Sequence, residues 1–334
     1  MTTPRIAIVG SLQDETALAI YERLRARGHE PFVLDATTFP EALTVSLGAR
    51  LDEVFIDGER VPTPAAVYVR SLYQSPAGFG TDAEEAMRED WRRTMAAYRE
   101  RSTLLSAILL RWETAGAAMY NPTSVSWRIV KPYQIALLQS AGLPVPDSLW
   151  SNEPDAVTRF CGEGETIYKP VAGGAATRRV SPEVLTPERL SRLEAAPVCF
   201  QELLPGDDVR VYVIDDEIVC ALRITTDAID FRQNEQSIEP VELSAEVQGQ
   251  CIRAAQVLGL RYTGMDIKPD RDGQYKILEL NPSAMFLGFE SRAGVDIGGA
   301  LCDALLAHTR EGSNEGDRRD ESPDGRGERN DSTH

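Results

Sequence analysis

Residues Gly264–Asn281, GMDIKPDRDGQYKILELN, constrain this chain more than any other stretch, because they predict two antiparallel strands together with their register. Asp272-Gly273 is a two-residue hairpin signal. A turn there pairs Arg271 with Gln274, and counting outward sets Asp266 opposite Glu279. Side chains alternate along a strand, so Asn281 shares the face of Glu279, while Leu278 and Leu280 fall on the opposite, core face. Two facing carboxylates repel one another and are tolerated where a cation sits between them. Two carboxylates and an amide oxygen, with room for water and phosphate oxygens, suit Mg2+ or Mn2+. The competing reading is two solvated acids on an exposed hairpin face, and Pro269 or a bulge would alter the register.

Upstream, the pattern is that of alternating strands and helices. Arg5–Gly10 reads as a buried strand, Asp14–Arg27 as a helix stopped by Gly28, and Pro31–Asp35 as the next strand. This β-α-β start predicts an α/β domain over residues 1–120, with a further strand at Val67–Arg70 and a long, mostly helical region over Asp82–Trp112. Asn121-Pro122 breaks the pattern, and a second, central α+β unit is expected over residues 121–205. It would hold a helix over Tyr133–Ala141 and strands at Thr166–Val171 and Val198–Leu204, the last ended by Pro205-Gly206. A third α+β unit, residues 206–310, would carry a hairpin over Asp215-Asp216, a helix over Ala245–Leu258, the Gly264–Asn281 hairpin and a last helix, Ile297–Ala307. Residues 311–334 are polar and charged and are expected to be a disordered acidic tail.

Composition excludes several classes of function. The chain has 52 acids against 35 bases, a net charge of −17, of which −4 falls in the tail and −13 in the body. So negative a surface repels phosphate backbones and anionic lipids, so neither nucleic acid nor membrane is an expected partner. No apolar run reaches the roughly 20 residues of a membrane span, and the N-terminus enters a strand at once, so no signal peptide is read. The five cysteines are scattered without a CxxC, which fits a reducing cytoplasm. Only four lysines, Lys131, Lys169, Lys268 and Lys276, stand among 31 arginines. An acid-rich, lysine-poor surface points to a high-salt cytoplasm, hence a halophilic protein. A lysine kept in such a chain marks a position that needs a compact point charge. No GxGxxG follows the first strand and no GxxxxGK[ST] is present, so neither a dinucleotide fold nor a P-loop is indicated. His29 and His308 are poor candidates for a catalytic base, which leaves no Ser-His-Asp or Cys-His mechanism.

Other pieces gather around the acidic hairpin. Lys169 precedes a small-residue loop, Gly173–Thr177, whose N–H groups could cradle phosphate. Gln201, Glu202, Leu203 and Leu204 end a strand where backbone groups could read an adenine edge, and Asp208 could accept from ribose hydroxyls. Taken singly, each also reads as an ordinary turn or strand end. Seven short pieces in order, Lys131-Pro132, Tyr168-Lys169-Pro170, Gln201–Leu204, Asp208-Val209-Arg210, Phe231–Asn234, Met265-Asp266-Ile267 and Glu279–Pro282, resemble the ATP-grasp superfamily in its RimK-like, glutamate-ligase branch. The resemblance covers roughly residues 120–308. It implies an α/β (α+β) ATP-grasp fold behind a Rossmann-like N-terminal domain. It further implies an ATP-dependent carboxylate–amine ligase working through an acyl phosphate. Lys131 and Lys169 would contact nucleotide phosphates or adenine, Glu202 through Leu204 would hold adenine, and Asp208 the ribose. Asp266, Glu279 and Asn281 would carry Mg2+ or Mn2+, and Arg210 and Arg232 would stabilise the acyl phosphate.

Two departures are visible. The loop Gly173–Arg179 has fewer glycines than is usual, and the stretch after Asn234 lacks the glycine pair common in glutamate ligases. Tyr68-Val69-Arg70, Glu84–Trp112, Ser148–Asn152 and Phe286–Gly294 are similar instead to ATP-grasp ligases that cross-link ribosomal peptides by side-chain amides or esters. The alternative from another class is an ATP-binding regulatory module without turnover. The expected partners are ATP and small-molecule or peptide carboxylates and amines, and assembly as a homo-oligomer stays open.

Overall fold

Strand Ile6–Val9 (β1) is buried on both faces, as a central parallel strand must be. It pairs in parallel with β2 (Phe32–Leu34) on one side and β6 (Ala66–Val69) on the other, and β7 (Ala118–Tyr120) completes the sheet order β2-β1-β6-β7. The computed structural model describes residues 6–71, 83–227, 229 and 234–317. Helix α1 (Glu15–Ala26) starts where the Asp14 carboxylate accepts from the Ala17 N–H at 2.9 Å. It stops at Gly28, whose φ of +81° supplies the left-handed residue after the helix. A small sheet of β3 (Val45–Leu47), β4 (Val54–Ile56) and β5 (Glu59–Arg60) adjoins it. The long helix α2 (Ala83–Thr114) has a non-helical kink at Asp90, within the stretch expected to be mostly helical.

The central sheet, order β10-β9-β11-β8, is antiparallel and built from β8 (Ser148–Ser151), β9 (Thr166–Pro170), β10 (Arg178–Arg179) and β11 (Val198–Glu202). Helices α4 (Pro154–Cys161) and α5 (Pro187–Leu190) belong to this unit, and Val157, Leu190, Leu193 and Phe200 form its core. Helix α3 (Lys131–Ser140) lies in the stretch assigned to this unit, yet Leu138 and the following Leu143 pack in the core of the next sheet. Gln134 fixes it there, donating to the Leu280 carbonyl at 3.1 Å and accepting from the Leu280 N–H at 2.9 Å.

The third sheet has the order β14-β13-β12-β15-β16. Strands β12 (Asp208–Ile214) and β13 (Glu217–Thr226) meet over Asp215-Asp216, both at positive φ, the two-residue turn expected there. Strand β14 (Glu235–Pro240) and helix α6 (Ala245–Leu258) lead to β15 (Tyr262–Pro269) and β16 (Tyr275–Asn281). Asp266 does stand opposite Glu279. The route to that pairing differs from the expected one. Asp270 rather than Arg271 closes the turn, its N–H donating to Gln274 O at 2.9 Å, which moves the register by one residue. A bulge between Ile267 and Asp266 moves it back. Leu278 is the extra residue of the bulge, so it is half-buried on the cleft wall, not in the core, while Leu280 is buried as expected.

After α7 (Leu287–Ala293), helix α8 (Ile297–Asp317) returns to the first domain. One apolar cluster takes Ile6, Ile8, Ile20, Leu24 and Tyr68 from that domain, Tyr212, Ile224 and Tyr262 from the third sheet, and Ile297, Leu301 and Leu305 from α8. Helix therefore occupies the first seven residues of the stretch expected to be a disordered tail. A helix already nucleated on a packed face extends at little cost per residue. Residues 318–334 lie outside the described residues, and no described helix is long and apolar enough to cross a membrane.

Candidate active site

A cleft of about 170 Å³ opens between the central and five-stranded sheets. Lys169, Gln201, Glu202, Leu203 and Leu204 line its central-sheet side together with the loop Gly173–Thr177, and Lys131, at the start of α3, lines the cleft beside Glu279. Asp208, Arg210, Asp266 and Glu279 line the other side. Asn281 stands just behind, its Nδ2 3.4 Å from Asp266 Oδ2 and 3.3 Å from Glu279 Oε1. Arg232 lies outside the described residues.

The two facing carboxylates are held by cations of the chain itself. Arg210 donates to both oxygens of Asp266, from Nε at 2.6 Å and Nη2 at 3.1 Å, in the fork geometry that favours arginine over lysine. Gly264 makes room for it: a Cβ there would lie 3.0 Å from Arg210 Nη1 and 2.5 Å from the Ala284 Cβ. Lys131 Nζ lies 2.6 Å from Glu279 Oε2. Burial pushes the Asp266 carboxyl above the usual range, and Glu279 and Asp208 add to this against the pull of Arg210. Burial opposes ionisation of Glu279 too, but Lys131, with Lys169 and Asn281, holds it below its ordinary value.

The donor set fits a hard divalent cation. Among the described residues no three carboxylates, imidazoles or thiolates gather at one point. A cation here would therefore take two carboxylates and complete its shell from the Asn281 amide oxygen, water and phosphate. The repulsion between Asp266 and Glu279 is the physical reason such an ion would be welcome.

On the nucleotide side, the Glu202 carboxylate is engaged at the rim of the cleft: it accepts from Lys276 Nζ and, at 2.9 Å, from the Asp147 N–H. The Glu202 and Leu203 N–H groups donate to Asp147 O and Glu165 O at 3.0 and 2.8 Å, so Leu204 is the backbone donor left to read a base edge. Glu202 thus lines the cleft with its carboxylate already engaged by Lys276 and the Asp147 N–H. Lys169 donates to Gln201 Oε1 at 3.1 Å, and Gln201 in turn donates to Ser148 Oγ at 2.8 Å.

Lys268 and Leu278 were not singled out from the sequence as site residues. Lys268 Nζ lies 3.0 Å from Asp208 Oδ2, both side chains nearly buried, and it lines the cleft. With Lys276 on Glu202, all four lysines of the chain serve this cleft or its rim. The scarcity of lysine was the signal that could have found the other two.

Known proteins share the sequence pattern and the fold of this chain. Residues 199–305 match the model of the RimK-like ATP-grasp domain. A probable alpha-L-glutamate ligase of Shewanella pealeana is 30% identical over 188 residues, 52% of this chain and 41% of that protein. The chain thus spans about two fifths of the first curated relatives it matches. A solved structure of the ATP-grasp ligase PsnB, complexed with a phosphomimetic variant of its minimal precursor, Mg and ADP, is 62% identical, with a TM-score of 0.87 over 92% of this chain and 99% of that one. The macrocyclase MdnC from Microcystis aeruginosa MRC, bound with precursor peptide MdnA, shares the fold at 22% identity and a TM-score of 0.75 over 90% of this chain and 99% of that one. Identity of this level across nearly the whole of a solved ligase means that the chain belongs to the ATP-grasp ligase family, with a RimK-like ATP-grasp domain.

Proposed function

We propose that the chain is an ATP-dependent ligase that converts a peptide side-chain carboxylate into an acyl phosphate, releases ADP, and transfers the acyl group to an amine or hydroxyl with release of phosphate. The observation that carries this is the convergence of Lys131, Lys169, Arg210, Asp266 and Glu279 on one cleft. A RimK-like carboxylate–amine ligase and a peptide cross-linking ligase share this chemistry. The peptide reading is favoured because the 62% identical neighbour was solved with its precursor, whereas the glutamate ligases reach 30% over part of their length.

In this reading Lys131 and Lys169 bind phosphate oxygens under the Gly173–Thr177 loop, Leu204 reads the base, and Asp208, oriented by Lys268, accepts from the ribose. Asp266, Glu279 and Asn281 would hold Mg2+ or Mn2+, which when bound neutralises charge on the β- and γ-phosphates. Arg210, buried and aimed into the cleft, stabilises negative charge on the transferring phosphoryl group, and Arg232 is assigned the same role. No protein nucleophile is required. Closure of the loop excludes water from the acyl phosphate.

The test is incubation with ATP, Mg2+ and a peptide bearing Glu or Asp with Lys, Ser or Thr, with free glutamate as the comparison donor. ADP release with loss of one water per bond by mass spectrometry is expected. Nucleotide binding without ADP release for any pair would leave only the regulatory-module reading. The chain's place in a reducing, high-salt cytoplasm is part of the same proposal. Activity that peaks in dilute buffer and dies in molar salt would remove the high-salt part.

A further inference from the structure

Beyond the last ladder pair of β16 the backbone runs through Pro282–Phe286 into α7, outside any sheet. Five successive carbonyls, from Asn281 at the end of β16 to Met285, are nevertheless each held by a side chain. Thr263 Oγ1 donates to Asn281 O at 3.1 Å, and Asn121 Nδ2 to Pro282 O at 2.6 Å. Arg70 Nη1 donates to Ser283 O at 3.1 Å, Tyr262 OH to Ala284 O at 2.6 Å, and Tyr212 OH to Met285 O at 2.5 Å. Three of these donors come from strands of the third sheet. Asn121 and Arg70 follow β7 and β6 of the first sheet, and Arg70 alone is charged.

Arg70 is fixed from behind. Its Nε donates to Asp14 Oδ1 at 3.0 Å and its Nη2 lies 2.9 Å from Asp14 Oδ2, while Asp14 is itself tied to the start of α1. Its Nη1 also reaches Ser283 Oγ at 2.8 Å, and that hydroxyl donates back to the Arg70 carbonyl. The side chain is only 11% exposed. Asn281, the amide proposed for the cation, is two residues from Ser283.

We infer that Arg70 is a positioning residue: it anchors Ser283 to the first domain and thereby holds Asn281 and Glu279 in the arrangement that grips the divalent cation. The inference rests on the ligase reading above. Groups that orient metal ligands typically change metal affinity or activity by about 10–100-fold when removed.

The experiment measures ADP affinity of the full chain with Mg2+ and with EDTA, and takes the ratio. In the wild-type chain Mg2+ is expected to tighten ADP binding. In Arg70→Ala the ratio is expected to fall about tenfold, with affinity in EDTA unchanged within about twofold. A wild-type ratio in a folded Arg70→Ala overturns the inference. Should that variant not fold, Arg70→Lys decides alone, since it keeps the charge on Asp14 but not the fork that reaches Ser283. A lowered ratio supports the inference and a wild-type ratio overturns it. A wild-type chain whose ADP affinity ignores Mg2+ sinks the ligase reading instead.

Discussion

At the scale of single residues, the two carboxylates of the site differ in what their loss would do. Asp266 is buried against Arg210, so Asp266→Ala strands a guanidinium that has almost no access to water. Breaking one side of such a pair costs about 3–5 kcal/mol. A fall of several degrees in Tm is therefore expected alongside loss of ATP turnover, measured by differential scanning fluorimetry and ADP release. Glu279 pairs with the half-exposed Lys131, which can turn to water. Glu279→Ala should abolish turnover with little change in Tm, and full activity in either variant would refute the metal assignment. Gly264→Ala belongs with these: its methyl would lie 2.5 Å from the Ala284 Cβ and 3.0 Å from Arg210 Nη1. A drop in kcat with ADP affinity preserved is expected. The two acids and the amide could be read together from strand alternation and the hairpin signal, whereas Lys131, at the start of α3, and Lys169 were named by the scarcity of lysine and by the family resemblance. That Arg210 would bind Asp266, or that Glu202 would turn to Lys276, depended on contacts 56 and 74 residues apart, which spacing does not encode.

At the scale of elements, the β15–β16 hairpin separates two leucines that period-two alternation places together. Leu280 is buried in the third-sheet core, whereas the bulge turns Leu278 to the cleft. Leu280→Ala is expected to cost about 2–5 kcal/mol of stability, seen as a lower denaturation midpoint. Leu278→Ala should instead weaken nucleotide binding with a smaller loss of stability, measured by ADP titration beside the melt. Equal effects of the two substitutions on stability would contradict the bulge. Asp266 and Glu279 could be paired correctly from the sequence only because two shifts cancel, a longer turn and the bulge. Turn length depends on how Asp270 caps the loop through its Oδ1, which accepts from the Asp272 and Gln274 N–H groups, and a dipeptide signal does not report that. Where local chemistry sufficed, as at Asp215-Asp216 or at Asp14 before α1, turn and helix start fell where the sequence placed them.

At the scale of the whole molecule, the chain divides into unequal mechanical parts. The first domain, the third sheet and α8 share one apolar cluster, with Tyr68, Tyr212 and Tyr262 at its centre. The central unit keeps a small core of its own and joins the third sheet through Pro205-Gly206, where a Cβ on the glycine would lie 2.2 Å from Pro269 Cγ. A few further ties cross at the rim, Lys276 to Glu202 and Arg271 to Glu165 at 2.7 Å, the second exposed and so weak. Local opening follows the size of the buried apolar cluster. Amide exchange is therefore expected to be fastest in β8–β11 and slowest in β12 and β15. A nucleotide gripped by Lys169 and Leu204 on one wall and by Lys131, Asp208 and Glu279 on the other would join the two parts. At a concentration 100 times its Kd it adds about 2.7 kcal/mol to any opening that releases it. ADP with Mg2+ should thus slow exchange in the central strands roughly 100-fold and leave β1 and β6 nearly unchanged. Uniform protection, or none in β9 and β11, would mean that the nucleotide does not bridge the two sheets.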